Sequence, residues 1–158
     1  MGVLVADTSG LVSLGIAAGR TPSPLSLCLE AYDVLVPEEV IGELEAVASY
    51  DDDHGRAATA VLDHRAEMTV ESVDLDAAFP LDDGENAAIT LANETDAALL
   101  LCDEFNRLGL INASLVDTRL VTTPTLLSVF VRTEQLSAVD ARTLLDEISA
   151  ARSWDGKS

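Results

Sequence analysis

The sequence predicts an α/β fold of three layers, in which a mainly parallel sheet of about four or five strands lies between helices. Short apolar runs alternate along the chain with segments of helical periodicity, and parallel strands require crossover connections of this kind. The run 97–102 is apolar throughout, which is typical of a strand buried on both faces. A length of 158 residues suits one domain with a sizeable core, which we expect to span 1–152, with 153–158 as a flexible tail.

The predicted strands are short, and two of them end at acidic residues. The first, 3–6, is followed by Asp7, and the run 97–102 is followed by Asp103. Ligands bind beyond the carboxyl ends of the strands in open α/β sheets, so both aspartates are candidates for a site. The remaining strands are predicted at 34–36, 68–71 and 114–116, with 118–123 as a loop or a short edge strand.

Helical periodicity, together with caps and breakers, defines the helices. Pro37 is typical of a first helical position, and Gly19 with the following TPSP stretch ends the first helix. Ser137 followed by Asp140 resembles a capping box. The predicted helices cover 9–18, 25–31, 38–49, 55–66, 82–93, 106–111, 125–132 and 137–152.

The charge balance is strongly acidic, with 28 acidic residues against 9 basic ones, and the single lysine is Lys157. Self-repulsion of this size costs stability in ordinary buffer. At about 1 M salt the Debye length falls to roughly 3 Å, so we hypothesise that the protein comes from a salt-loving host. The acidity argues against binding of phosphates through a basic patch, but it leaves open a phosphate substrate that is bound through a metal ion.

The composition predicts a cytoplasmic protein without membrane contact. No apolar run has the length that spans a bilayer, and the N-terminus lacks the pattern of a signal peptide. Cys28 and Cys102 have no CxxC spacing and lie in apolar surroundings, so we expect both to be reduced core thiols rather than zinc ligands.

Four acidic residues stand out by their positions in the predicted elements. Asp7 and Asp103 follow strands, while Glu43 and Glu85 lie in helices. Each has a structural alternative, because an aspartate after a strand can cap a helix and Glu85 can complete a capping box with Asp82. Glu43 alone is typical of a partly exposed helical residue. Together they indicate more, since clustered carboxylates repel one another unless a cation neutralises them, and oxygen ligands alone favour magnesium or manganese.

Four short motifs follow one another along nearly the whole chain: VLVADTS at 3–9, PEEVIGEL at 37–44, GENAAI at 84–89 and CDE at 102–104. In order and spacing they resemble the motifs of the PIN-domain ribonucleases, a family that includes the toxins of VapBC toxin–antitoxin pairs. Arg107 is similar to the arginine that follows in the family, and Thr122 and Thr123 to its GT-type turn. Two positions depart from the family pattern, because Glu104 replaces its second aspartate and Thr122 replaces its glycine.

The resemblance implies a PIN-like fold and a metal-dependent endoribonuclease, in which one or two Mg²⁺ or Mn²⁺ ions activate water and neutralise charge on the phosphoryl oxygens. The metal ligands that it implies, directly or through water, are Asp7, Glu43, Glu85 and Asp103.

A second set of residues would support these ligands or contact the substrate. Thr8, Ser9 and Thr123 would orient carboxylates or waters through hydrogen bonds. Glu104 is a weaker candidate for a contact with water or metal. Arg107 would either meet a substrate phosphate or pair with one of the many acidic residues.

The resemblance further implies an RNA substrate, a homodimer and, for a VapC-like toxin, a cognate antitoxin protein. The main alternative is a catalytically weak PIN-like module that binds RNA or serves as a scaffold in an RNA-processing assembly. A receiver domain is disfavoured because the chain has no lysine late in the predicted sheet. A haloacid-dehalogenase-type phosphatase is disfavoured because Ser9 stands where a second aspartate would follow Asp7.

Overall fold

The computed structural model describes residues 1–154, in which five strands alternate with eight α-helices. The strands are β1 (Val3–Ala6), β2 (Asp33–Pro37), β3 (Thr69–Glu71), β4 (Leu99–Leu101) and β5 (Arg119–Val121). The helices are α1 (Thr8–Ile16), α2 (Pro24–Ala31), α3 (Glu38–Ala48), α4 (Asp53–Asp63), α5 (Asp83–Thr95), α6 (Leu108–Ser114), α7 (Thr123–Arg132) and α8 (Ala138–Arg152). Short 3₁₀ turns lie at Arg65–Glu67 and Phe105–Arg107.

All five strands form one parallel sheet in the order β3-β2-β1-β4-β5, so β1 lies at its centre. Ala6 is the register partner of Leu101, and the two strands end side by side. The residues that follow them therefore leave the sheet at the same edge. This arrangement brings the segments after β1 and β4 together although they are about a hundred positions apart in sequence.

Side chains alternate between the two faces of the sheet, and each face has its own apolar cluster. Leu4 and Ala6 face the larger cluster, to which α1, α2, α3, α4, α7 and α8 contribute buried residues. Val5 faces the smaller cluster, which is built from α5 and α6. The predicted three-layer α/β fold is confirmed.

The predicted strand at 114–116 is wrong. Ser114 ends α6, and Val116 is 77% exposed, so the apolar residues of this segment do not indicate burial. Asn93 instead ties the segment to α5, because its Nδ2 donates to the Ser114 carbonyl and its Oδ1 accepts from the Val116 amide. The edge strand is β5, which pairs in register with β4.

The C-terminal end of α8 packs on the domain. Ser153 adopts a left-handed conformation with φ 58° and ends the helix. The Trp154 ring lies edge-on to Phe105, with 5.0 Å between ring centroids, and it contacts the larger apolar cluster. The last four residues of the expected tail, 155–158, lie outside the described residues. Across 1–154, no helix combines the length and apolar character that crossing a membrane requires.

Candidate functional site

Three of the four predicted acidic residues share one cavity of about 210 Å³ at the carboxyl edge of the sheet. Asp7 follows β1, Glu43 lies in α3, and Glu85 lies in the first turn of α5. Asp7 and Glu85 are only 4% and 6% exposed, and Glu43 is partly buried. The fold thus collects carboxylates from separate elements around a small space.

Asp7 is the most deeply buried acid of this cavity. Its Oδ2 accepts hydrogen bonds from the Ser9 hydroxyl at 3.2 Å and from the Cys102 thiol at 3.4 Å. Burial raises the pKa of Asp7 to about 7, the Thr8 amide and Cys102 oppose the rise, and the charges of Glu43 and Glu85 add to it. The three carboxyl groups therefore lie close enough to repel one another.

Glu43 is held between α1 and the start of α5. The Thr8 hydroxyl donates to its Oε1, and the Gly84 amide also binds the carboxylate. A Cβ atom at Gly84 would lie inside contact distance of both carboxylate oxygens, so only glycine leaves room for this side chain. Burial raises the pKa of Glu43, and the nearby charges of Asp82 and Asp83 raise it further.

Glu85 forms an ion pair with Arg107, whose Nη1 lies 2.6 Å from Oε1. Asp82 caps α5, because its Oδ1 accepts a hydrogen bond from the Glu85 amide at 2.9 Å. The Glu85 side chain does not bond back to the cap residue but accepts a hydrogen bond from Arg107. Burial raises the pKa of Glu85, as does Asp82, and Arg107 opposes the rise. Arg107 therefore pairs with a buried acid, while its own side chain stays 47% exposed at the rim.

Asp103 lies at the adjacent strand end, but its carboxylate faces Thr123. Its Oδ1 accepts the Thr123 amide at 2.7 Å and its Oδ2 accepts the Thr123 hydroxyl at 2.5 Å. Burial raises the pKa of Asp103, and these two hydrogen bonds oppose the rise. The next residue, Glu104, lines the cavity, whereas Asp103 is not among its lining residues.

Ser9 links the two strand ends. Its hydroxyl donates to Asp7 and accepts the Asp103 amide at 2.9 Å. At the turn before α7, Thr122 has φ −94° and caps the helix, so this turn does not need the glycine of the family pattern.

The sequence did not point to two of the polar residues that line the cavity, His54 from α4 and Arg152 from α8. The His54 Nε2 lies 3.1 Å from the Ala151 carbonyl, which joins α4 to the end of α8. Both positions lie on helix surfaces far from any motif, and no local pattern in the sequence marks them.

The donor set suits a hard cation, because carboxylate oxygens dominate the cavity, and burial together with the charges of Glu43 and Glu85 raises the pKa of Asp7. Within residues 1–154, however, no three histidine, cysteine or acidic side chains are already arranged to hold a metal ion. Glu43, Glu85 and Asp103 are each held by a partner of their own. Arg107 contacts only Oε1 of Glu85, so an ion at this carboxylate would either share it with Arg107 or replace the arginine.

The sheet and helices are similar to a solved structure of a PilT N-terminus domain protein, SSO1118, from the hyperthermophilic archaeon Sulfolobus solfataricus P2. The TM-score is 0.55 and the identity 15%, over 80% of this chain and 92% of that chain. No curated protein matches the chain. The fold and the acidic edge define a nuclease-type α/β domain of the PIN class. The family model described as "DUF3368: PIN domain" matches residues 3–157, so the chain belongs to this family.

Proposed function

We propose that the protein is a Mg²⁺- or Mn²⁺-dependent endoribonuclease that hydrolyses RNA phosphodiester bonds. The observation that carries the proposal is the cavity that Asp7, Glu43 and Glu85 share. Asp7 is buried there, and the negative charges of Glu43 and Glu85 repel its carboxylate. Buried like charges are costly, and acidic clusters that persist in a fold indicate a cationic ligand. Membership in a PIN-domain family supports the same class of reaction.

In this proposal Asp7, Glu43 and Glu85 hold the ion, and Asp103 contributes directly or through water. When bound, the ion supplies a water of lowered pKa and neutralises charge on the phosphoryl oxygens. Thr8 and the Gly84 amide fix the direction of the Glu43 carboxylate, and such supporting contacts commonly set metal affinity.

The supporting hydroxyl groups are distributed between the two strand ends. Ser9 fixes Asp7 relative to the start of the segment after β4, and Thr123 fixes Asp103. Arg107 neutralises Glu85 in the free protein. In this proposal a metal ion competes with Arg107 for Glu85, or a substrate phosphate competes with Glu85 for Arg107.

We extend the proposal to a biological role as a cytoplasmic toxin of the VapBC type, which acts as a homodimer and is inhibited by a cognate antitoxin. The support for this role is the resemblance of the motifs at 3–9, 37–44, 84–89 and 102–104 to a family that includes such toxins as well as housekeeping nucleases. Co-expression with the product of the adjacent reading frame tests it: a stable complex without nuclease activity is expected, and a failure to associate would leave a housekeeping nuclease.

A second candidate is a PIN-like RNA-binding or scaffold module with little turnover. The pairing of Glu85 with Arg107 and of Asp103 with Thr123 favours it, because both acids already have partners without an ion.

A titration with Mn²⁺ in the presence of structured RNA separates the two candidates. We expect cleavage by the wild type, loss of cleavage in Asp7→Asn and Asp103→Asn, and wild-type activity in Asp63→Asn, an exposed aspartate of α4. Cleavage by both site variants would discard the assignment of the site. Binding of metal without cleavage would favour the scaffold.

A further inference from the structure

The lining of the cavity at the carboxyl edge of the sheet is strongly acidic. It includes five carboxyl groups, which belong to Asp7, Glu43, Asp82, Glu85 and Glu104. Helices α4 and α8 contribute His54 and Arg152 to the lining. Within residues 1–154, Arg152 is the only lysine or arginine that lines this cavity.

Contacts on both sides of Arg152 fix the last turn of α8 against the domain. The His54 ring lies 3.1 Å from the Ala151 carbonyl on one side. On the other side Trp154 packs edge-on against Phe105, which directly follows the cavity residue Glu104. His54 and Trp154 thus act as positioning residues. They fix the backbone of this turn, so the position from which the Arg152 side chain reaches the cavity is set before a ligand binds.

The electrostatic surroundings of Arg152 differ from those of Arg107. Arg107 is already paired with Glu85, whereas the ion pairs formed within residues 1–154 do not include Arg152. Burial lowers the pKa of Arg152, and the charges of Asp103 and Glu104 oppose this effect. A basic residue at a helix C-terminus is favourable in any case, but that role does not require a partly buried guanidinium beside a cavity.

We propose that Arg152 binds a non-bridging phosphate oxygen of the RNA backbone in this cavity. The inference rests on the proposed function and adds a substrate contact to it. A guanidinium can donate two parallel hydrogen bonds to a phosphate, which fixes the position of the strand as well as adding affinity. In a chain of net charge −19, one well-placed arginine compensates locally for repulsion that would otherwise keep the phosphate away.

Binding of RNA at varied salt tests this contact. Arg152→Gln, Arg152→Lys and the control Arg142→Gln are compared in the Asp7→Asn background, so that bound RNA is not consumed. Arg142 is an exposed residue of the same helix and lines a different groove, so it matches the change in charge. Binding of a fluorescein-labelled single-stranded oligoribonucleotide is followed by anisotropy, and circular dichroism verifies the fold of each variant.

We expect Arg152→Gln to reduce the slope of log Kd against log salt by about 0.7 relative to Arg142→Gln, which corresponds to one phosphate contact on a single strand. In the active background, KM for Mn²⁺-dependent cleavage should rise about tenfold, the effect of losing one charge-assisted hydrogen bond, with a smaller change in kcat. Arg152→Lys keeps the charge and the apolar stem, so it should retain the slope and part of the affinity.

The outcomes separate this inference from the proposed function. If the wild type cleaves RNA but Arg152→Gln matches Arg142→Gln in slope and KM, Arg152 makes no phosphate contact and the inference is overturned. If Arg152→Gln lowers the slope of log Kd against log salt by about 0.7 while the wild type shows no Mn²⁺-dependent cleavage, the phosphate contact is supported and the proposed hydrolysis is contradicted.

Discussion

At the residue scale, Asp7 combines deep burial with two neighbouring negative charges. Its pKa of about 7 in the folded protein lies above the value of 3.8 that it has when exposed. The folded state therefore holds this proton over a pH range in which the unfolded chain has released it. The contribution of Asp7 to the free energy of unfolding is therefore fully present below pH 3.8, and it is lost as the pH rises from there through about 7.

We predict that Asp7→Asn is more stable than the wild type at pH 8 without metal, by up to about 4 kcal/mol, and that the difference shrinks towards pH 4. The measurement is urea unfolding in EDTA at several pH values, with Asp63→Asn as the matched control. Mn²⁺ should restore the stability of the wild type, because a ligand of the folded state stabilises it. A difference that does not change with pH would contradict the assignment of a protonated Asp7.

Gly84 supports the site through the space that it leaves for Glu43. We predict that Gly84→Ala keeps the fold, because the colliding atoms belong to the end of a flexible side chain, but moves the Glu43 carboxylate. Mn²⁺ affinity and cleavage should fall about ten- to a hundredfold, as is common when a group that orients a metal ligand is changed.

Gly42→Ala is the matched control for this change. Gly42 is an exposed position of α3 at which a Cβ meets nothing within 4 Å, so alanine should raise stability by up to about 1 kcal/mol without a change in activity. Equal activities of the two glycine variants would show that the position of Glu43 does not matter for cleavage.

At the scale of the elements, β4 is buried on both faces and hydrogen-bonded on both edges. Leu100 pairs in register with Val5 of β1 and with Leu120 of β5, and it is 1% exposed. The strand therefore holds the acid-bearing edge of the sheet together as well as the smaller apolar cluster.

Leu100→Asp should unfold the domain, since a buried charge without a partner costs more than about 4 kcal/mol, a large part of the stability of a typical domain. Circular dichroism and thermal unfolding measure this loss. Leu110→Asp introduces the same charge at a residue of α6 that is 42% exposed, and we expect it to fold. A folded Leu100→Asp variant would contradict the position of β4 in the core.

At the scale of the whole molecule, the main electrostatic feature is the net charge of −19, whose self-repulsion destabilises the folded state. Within residues 1–154, the surface ion pairs include Arg20 with Glu147 and Arg56 with Asp53, and exposed pairs of this kind offset little repulsion. Most of the acidic residues have no basic counterpart in the sequence.

We predict that the melting temperature rises from low to multimolar KCl, with much of the rise complete at about 1 M, where the Debye length is roughly 3 Å. Thermal unfolding in a KCl series measures the effect. A melting temperature that does not change with KCl would end the hypothesis of a salt-adapted protein.

Much of the fold could be predicted because the signals that define it are local. The apolar runs before Asp7 and Asp103 and the proline and cap residues at helix starts act within a few residues, so strands β1, β2 and β4 and the helices lie close to their predicted positions. The prediction of a strand at 114–116 was wrong because it took the apolar side chain of Val116 as a sign of burial. Whether a side chain is buried depends on what packs over it, and Val116 is exposed.

The sequence by itself determined which acids are available and that two of them follow strands. The tertiary structure decided how each is used, by pairing Glu85 with Arg107, turning Asp103 towards Thr123 and adding Arg152 to the cavity. Motif spacing follows from the chain alone. The partners of a buried carboxylate depend on rotamers and on how helices far apart in sequence cross above the sheet, because hydrogen bonds and ion pairs are decided within a few ångströms.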